Sequence, residues 1–263
     1  MTASPSDLLA SLRDDLDLAL RLADEADRIS LAHFRSEHLV IETKPDLTPV
    51  SQADREIEEM VRARIAAARP GQAVLGEEFG GEATAPVRWI VDPIDGTKRY
   101  IRGVPLFAFL LALERGGELV LGLVSAPALG RRWWAARGLG AFADGKGISV
   151  SAVRQLSDAH ISVASLDSWL ARGKFRQLGD IASRAWSSTG YGDFWCHLLV
   201  AEGAADAAIE PAGAIWDFAP LKVIVEEAGG RFTDFNGVAT ADGGCGLSSN
   251  GGAIHTDLLH LLG

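Results

Sequence analysis

The hydrophobic pattern predicts a mixed α+β / α/β chain. Residues 1–150 read as an α+β half built on an antiparallel sheet, and residues 151–263 as an α/β half. Three observations carry this. Apolar residues recur at helical spacing in two stretches near the N-terminus. The period then shortens, and apolar runs follow one another with turn residues between them. Beyond about Val150, strand-like and helix-like segments alternate.

The first helix is predicted over residues 6–34, with Leu8, Leu9, Leu12, Leu16, Leu20 and Ala23 as its apolar stripe. A loop follows at Lys44, Pro45, Asp46, Leu47, Thr48 and Pro49, because each proline disfavours helix in the residue before it. Ser51 with Asp54 three residues later is a capping-box pattern, which opens a second helix reaching about Ala68. Strands are predicted at residues 74–75, 89–92, 107–113, 118–125 and 132–136, with turns at Gly116-Gly117 and Asp144-Gly145. Their close spacing suggests an antiparallel sheet carrying both helices on one face. The second half reads as strand 161–164, helix 174–183, helix 194–202, strand 206–209, helix 218–228 and strand 231–233.

The chain has 25 Lys and Arg against 35 Asp and Glu, a net charge of −10, which argues against nucleic acid as a partner. The two cysteines, Cys196 and Cys245, form no CxxC pair and read as buried thiols of a reducing compartment. The first residues lack a basic segment followed by an apolar one, and no apolar run approaches the ~18 residues of a membrane span. A cytoplasmic enzyme fits these features.

The chemistry concentrates where the strand at Trp89, Ile90 and Val91 meets Asp92-Pro93-Ile94-Asp95-Gly96-Thr97. Pro93 cannot donate a ladder hydrogen bond, so the strand is expected to end there. The chain then turns, so that Asp92 and Asp95 face one cavity with the Ile94 carbonyl beside them. Gly76-Glu77-Glu78 lies upstream, and Trp216-Asp217 opens a later helix, where Asp217 also suits an N-cap. Acids gathered this closely repel one another unless a cation lies between them, and oxygen-only ligands favour Mg²⁺. Helix-start amides after Gly96 are suited to a phosphate. Each motif alone is ordinary, whether a surface turn, solvated acids or a cap; their combination is what points to a site.

The ordered set Gly76-Glu77-Glu78, Asp92-Pro93-Ile94-Asp95-Gly96-Thr97 and Trp216-Asp217-Phe218-Ala219-Pro220 resembles the inositol monophosphatase family over about residues 40–235. Thr43 to Val50, Arg131 to Gly138 and Tyr191-Gly192-Asp193-Phe194 are most similar to its histidinol-phosphate phosphatase branch. The resemblance implies a layered αβαβα sandwich and a Mg²⁺-dependent phosphomonoesterase, with two or three ions, or Mn²⁺ or Zn²⁺ in their place. It implies that Glu77, Asp92 and the Ile94 carbonyl hold one ion, that Asp92, Asp95 and Asp217 hold a second, and that Asp54 serves a weaker third. Glu77 and Thr97 would orient the attacking water, and the Gly96 and Thr97 amides would receive the phosphate. A homodimer is also implied.

A cationic leaving group favours an acid near it. Asp193 is the first candidate, with a helix N-cap as its equal alternative, and Glu210 is the second. Lys98 and Arg102 flank the phosphate turn and are candidates to offset the acidic field. The branch resemblance makes L-histidinol phosphate the expected substrate. Inositol 1-phosphate or a broad range of phosphomonoesters is the alternative, and a non-catalytic metal- and phosphate-binding regulator is the reading from another class. The six histidines show no ligand spacing. The GxGxxA pattern at Gly138 to Ala143 reads better as strand and hairpin than as a dinucleotide loop.

Overall fold

The computed structural model describes residues 5–45 and 47–263; Asp46 of the predicted loop and the first four residues, read above for a leader, lie outside them. The first half contains α1 (Pro5–His33), β1 (Ile41–Thr43), β2 (Pro49–Ser51), α2 (Gln52–Ala68), β3 (Ala73–Gly76), β4 (Val87–Asp95) and α3 (Thr97–Ile101). It continues through β5 (Ala108–Arg115), β6 (Glu118–Ala126), β7 (Arg131–Ala136), β8 (Gly140–Ala143) and β9 (Lys146–Gly147). The second half contains β10 (His160–Val163), α4 (Leu166–Ala171), α5 (Phe175–Arg184), β11 (Ser187–Thr189) and α6 (Asp193–Ala201). It ends with β12 (Ala207–Glu210), α7 (Ile215–Glu227), β13 (Arg231–Thr233), β14 (Gly246–Ser249) and α8 (Gly252–Leu262).

β3 to β9 form one sheet in chain order, and the second sheet runs β11-β10-β12-β14-β13. The layers are αβαβα. Leu22, Ala26, Ile57 and Val61 of α1 and α2 pack on Trp89, Val91, Leu111 and Leu123 of the first sheet. Its other face, at Ile90, Leu110 and Val124, packs on Phe194, Phe218 and Ile224 of α6 and α7, which also meet Phe232 of the second sheet. Trp169, Ile181 and Leu258 of α4, α5 and α8 close the far side against Ile161, Ile209 and Leu247.

Several expectations are corrected. The first sheet is not wholly antiparallel, since β3 runs parallel to β4, and helices cover both its faces rather than one. Sequence spacing suggested hairpins, but the segment between β3 and β4 makes a crossover without a helix. The inward stripe of α1 is Leu12, Leu18, Ala19, Leu22, Ala23, Ala26 and Ile29; Leu16 and Leu20 sit at its margin, Leu9 is exposed, and the side chain of the predicted Leu8 lies outside those described. Pro93 does not end β4. Pairing passes from Asp92↔Leu110 to Asp95↔Ala108, so two residues of β4, Pro93 and Ile94, oppose one of β5, Phe109. This bulge absorbs the missing donor and re-aims the acids. α7 starts at Ile215, with Ala214 as N-cap and Asp217 inside its first turn rather than at the cap. β14 was missed because Gly246-Leu247-Ser248-Ser249 has no apolar alternation, although all four residues are buried. α8 was missed because Gly251-Gly252 reads as a turn.

Gly122 of β6 explains how closely α7 lies on the first sheet. A Cβ there would stand 2.3 Å from the Pro220 carbonyl oxygen and 2.9 Å from the Pro220 Cα, both backbone atoms. Pro220 lacks an N–H and so leaves one helix bond of α7 unmade. Gly122→Ala is expected to force these layers apart and cost roughly 1–3 kcal/mol, the range for overpacking a core. The urea midpoint checks this; an unchanged midpoint would show that α7 yields freely.

Candidate active site

Four aspartates converge at the C-terminal end of β4. Asp92 and Asp95 come from its bulge, Asp54 from the first turn of α2 and Asp217 from the first turn of α7. Carboxylate oxygens of Asp92, Asp95 and Asp217 lie within 4.8 Å of one another. Each aspartate is anchored by a backbone amide. Asp54 accepts from the Ser51 N–H at 2.9 Å, as the capping-box pattern predicts, and from the Ser51 hydroxyl at 2.5 Å. Asp92 accepts from the Ile94 N–H at 3.0 Å, Asp95 from the Phe194 N–H at 2.7 Å, and Asp217 from the Ala214 N–H at 2.7 Å. Three of those donors stand at the starts of α2, α6 and α7, where helix dipoles favour negative charge.

Thr97 lies among these acids. Its hydroxyl donates to the Ile94 carbonyl at 3.0 Å and stands 3.5 Å from Asp54 Oδ1. Gly96 caps α3 at φ +85°, and a Cβ there would lie 3.0 Å from the Leu106 carbonyl oxygen. Only glycine adopts this bend without strain.

The turn bearing Glu77 is fastened from α2. Buried Glu58 accepts the Glu78 N–H at 2.8 Å and the Phe79 N–H at 3.2 Å, and pairs with Arg62 at 2.6 Å. Arg62 in turn donates to the carbonyls of Gly80 and Val74. Lys44 Nζ bridges Glu77 at 2.8 Å and Glu78 at 2.7 Å. Glu58, Arg62 and Lys44 were not singled out from the sequence. Lys44 stood in a motif segment, but its target was not legible there.

Burial and crowding shift the acids upward. Burial pushes Asp54 up to about 6 and Asp217 up to about 7, with the Ser51 and Ala214 donors opposing. Asp92 and Asp95 are raised by burial first and then by neighbouring carboxylates, Glu77 being the largest of these for Asp92 and Asp217 for Asp95. Such a set of oxygen donors, short of positive charge, suits a hard divalent cation.

Beyond Asp95 and Asp217 lies a cavity of about 140 Å³, lined also by Asp193, Phe194, Glu210 and Leu221. Asp193 is not the N-cap of α6; Gly192 holds that place, and Asp193 has φ +49°. Its carboxylate pairs with Arg99, whose guanidinium also donates to the Tyr191 carbonyl at 3.2 Å. Arg99 is thus the cation nearest the cavity, and the sequence reading passed over it for its neighbours. Lys98 and Arg102 are exposed on either side of it, with Lys98 facing Asp167 electrostatically. Glu210 ends β12 and is pushed up to about 7 by burial, with Arg99 opposing.

One histidine does approach a potential ligand set. The ligand atoms of Cys196, His197 and Glu210 lie within 4.8 Å of one another. Both His197 nitrogens are engaged, by Ser248 and Glu210, and the Cys196 thiol donates to the Asp193 carbonyl at 3.0 Å. The three are held by hydrogen bonds, and of them Glu210 lines the cavity while Cys196 and His197 are fully buried. The Trp133 and Trp134 pair packs, with Trp133 bonded to Glu202 and Trp134 stacked on Phe142.

A layered sandwich with carboxylates gathered at one strand end defines a class. The sequence matches the inositol monophosphatase family over residues 12–261, and the chain belongs to that family. It is 50% identical to the histidinol-phosphatase of Mycobacterium tuberculosis, over 94% of this chain and 96% of that one. It is 47% identical to the histidinol-phosphatase of Streptomyces coelicolor, over 95% and 97% respectively. The solved Thermotoga maritima IMPase superposes with a TM-score of 0.85 at 30% identity, covering 95% of this chain and 96% of that one.

The raised carboxyl values set the pH dependence of stability. With folded values above the ordinary 3.8, the folded chain binds more protons than the unfolded one as pH rises towards about 6 for Asp54 and about 7 for Asp217. Stability of chelator-treated protein is therefore expected to fall through that window. Mg²⁺ is expected to restore it at the upper end, since it binds the folded state. Thermal melts at several pH values check both; a melting temperature that climbs from about pH 5 to 7 in chelator would contradict the sign.

Proposed function

We propose that this chain is a Mg²⁺-dependent histidinol-phosphatase, hydrolysing L-histidinol phosphate to L-histidinol and phosphate with water as nucleophile. The observation that carries this reading is near-full-length identity of 50% and 47% to two histidinol-phosphatases. The acidic lining of the cavity supports it, since histidinol brings an amine and an imidazole to the leaving-group end.

In this reading Glu77, Asp92 and the Ile94 carbonyl would hold one ion, Asp92, Asp95 and Asp217 a second, and Asp54 would serve a weaker third. Mg²⁺ supplies neutralisation of phosphoryl charge and acidification of water. Glu77 and Thr97 orient that water, Thr97 through a hydroxyl fixed between Ile94 and Asp54. The Gly96 and Thr97 amides receive phosphate oxygens, which offsets the repulsion expected of a chain with net charge −10. Lys98 and Arg102 moderate the field from the rim. Asp193 and Glu210 face the leaving group. The division near residue 150 assigns most ion ligands to the first half, and Asp217 and the leaving-group contacts to the second.

We place the enzyme in the cytoplasm as a homodimer. Two buried free cysteines support a reducing compartment, and family membership supports the dimer. No helix among the described residues is long and apolar enough to cross a membrane.

Phosphate release is expected to stop in excess chelator and return with Mg²⁺. Asp92→Asn is expected to abolish turnover even at saturating Mg²⁺, whereas Asp54→Asn mainly raises the Mg²⁺ needed. Equal losses at saturation would contradict this ranking of ligands.

A panel of L-histidinol phosphate, inositol 1-phosphate and glycerol 2-phosphate tests the substrate, with the highest kcat/KM expected for the first. Glu210→Gln is expected to lower kcat/KM for histidinol phosphate by roughly ten- to a hundred-fold, the loss of one charge-assisted hydrogen bond. Asp193→Asn is expected to cost less of this selectivity, because Arg99 already neutralises Asp193. Equal rates across the panel would favour a broad phosphomonoesterase.

A further inference from the structure

We propose that His197, with Ser248 behind it, is a positioning residue that holds the Glu210 carboxylate towards the cavity and so sets selectivity for a cationic leaving group. This rests on the histidinol phosphate reading.

The argument begins with burial. His197 is fully buried on α6, and its ring lies 6.0 Å from Phe218 and 5.9 Å from Phe232, centroid to centroid. Such surroundings keep an imidazole neutral; burial pushes this one down to about 3. A neutral imidazole offers one N–H and one acceptor nitrogen. Here Nδ1 stands 2.6 Å from the Ser248 hydroxyl and Nε2 stands 3.3 Å from Glu210 Oε2. While Glu210 is ionised it accepts only. Nε2 must then carry the hydrogen and Nδ1 must accept from Ser248. The opposite tautomer would set two lone pairs against each other at Glu210. Glu210 therefore selects the tautomer, the Ser248 hydroxyl supports it by donating to Nδ1, and the imidazole fastens one carboxylate oxygen.

The sheet makes this arrangement stiff. β12 and β14 pair antiparallel with Ala208↔Ser248 and Glu210↔Gly246 in register. Alternation along a strand sets Ala208 and Glu210 on one face, and Ser248 is paired beside them. Ala208 packs against Cys196 and Val200 of α6, so this face is the one α6 covers. His197 reaches both polar groups directly from α6. Fastening one oxygen leaves the other for the cavity that Glu210 shares with Asp95, Asp193 and Asp217. Arg99 is committed to Asp193, so Glu210 has no direct cationic partner of its own among the bonds described. A substrate amine or imidazolium would supply one.

The test compares parent, His197→Met, His197→Gln, Ser248→Ala and Glu210→Gln on L-histidinol phosphate and glycerol 2-phosphate at saturating Mg²⁺. Calorimetry follows binding of L-histidinol, and thermal melts confirm folding. His197→Met is expected to lower kcat/KM for histidinol phosphate on the order of tenfold, chiefly through KM, with a matching loss of L-histidinol affinity. The change on glycerol 2-phosphate should stay within about threefold. His197→Gln keeps an N–H near the Nε2 position and should recover part of the loss. Ser248→Ala, the mildest change, should shift selectivity in the same direction and serves if His197→Met fails to fold. Adding His197→Met to Glu210→Gln should cost no further selectivity, because the imidazole acts through that carboxylate. Equal losses on both substrates, or additive effects with Glu210→Gln, would overturn the proposal. A parent without preference for histidinol phosphate would instead overturn the substrate reading beneath it, and the parent measurement alone reveals that.

Discussion

The structure turns on keeping several carboxylates close together and out of water. An ionised acid in such a place is costly unless hydrogen-bonded, and each further acid raises the cost for its neighbours. The chain answers with one backbone amide for each of Asp54, Asp92, Asp95 and Asp217, from Ser51, Ile94, Phe194 and Ala214. An amide holds a carboxylate without neutralising it, so the demand for positive charge is left for a cation to meet. This is the physical reason the site suits a divalent ion.

Much of the architecture serves that arrangement. Three helices begin where their first amides meet the acids, and helix α7 can do so because Gly122 lets it lie close on the first sheet. The bulge in β4 turns Asp95 towards α6, a contact that a regular strand would not make. Side-chain cations are kept at the edge. Lys44 is spent on Glu77 and Glu78, Arg62 on the turn carrying them, and Arg99 on Asp193. The same economy is seen at the cavity beyond, where a neutral histidine, not a cation, stands beside Glu210.

What was legible in the sequence was local. Helical spacing gave α1 and α2 their ends within a residue or two, and Ser51 with Asp54 marked the start of α2, because a cap is decided by residues three apart. The cluster of acids around Pro93 and Gly96 marked the site, since turn chemistry and repulsion are both short-range. The same local reasoning misjudged Pro93. It treated the missing donor as an end to β4, whereas a bulge tolerates it. It also placed Asp217 at a cap, although the apolar Ile215 and Trp216 already belong to α7.

The sequence by itself determined the two helical stretches, the short-strand region, the acidic motifs and the family they resemble. Tertiary structure alone decided the parallel pairing of β3 with β4, the sharing of α6 and α7 between two sheets, and the partners of Asp95, Asp193 and Glu210. Those partners lie 99, 94 and 13 residues away along the chain, at Phe194, Arg99 and His197. Periodicity and capping report on neighbours within a few positions, whereas which carboxylate meets which amide, guanidinium or imidazole is fixed by how the layers stack.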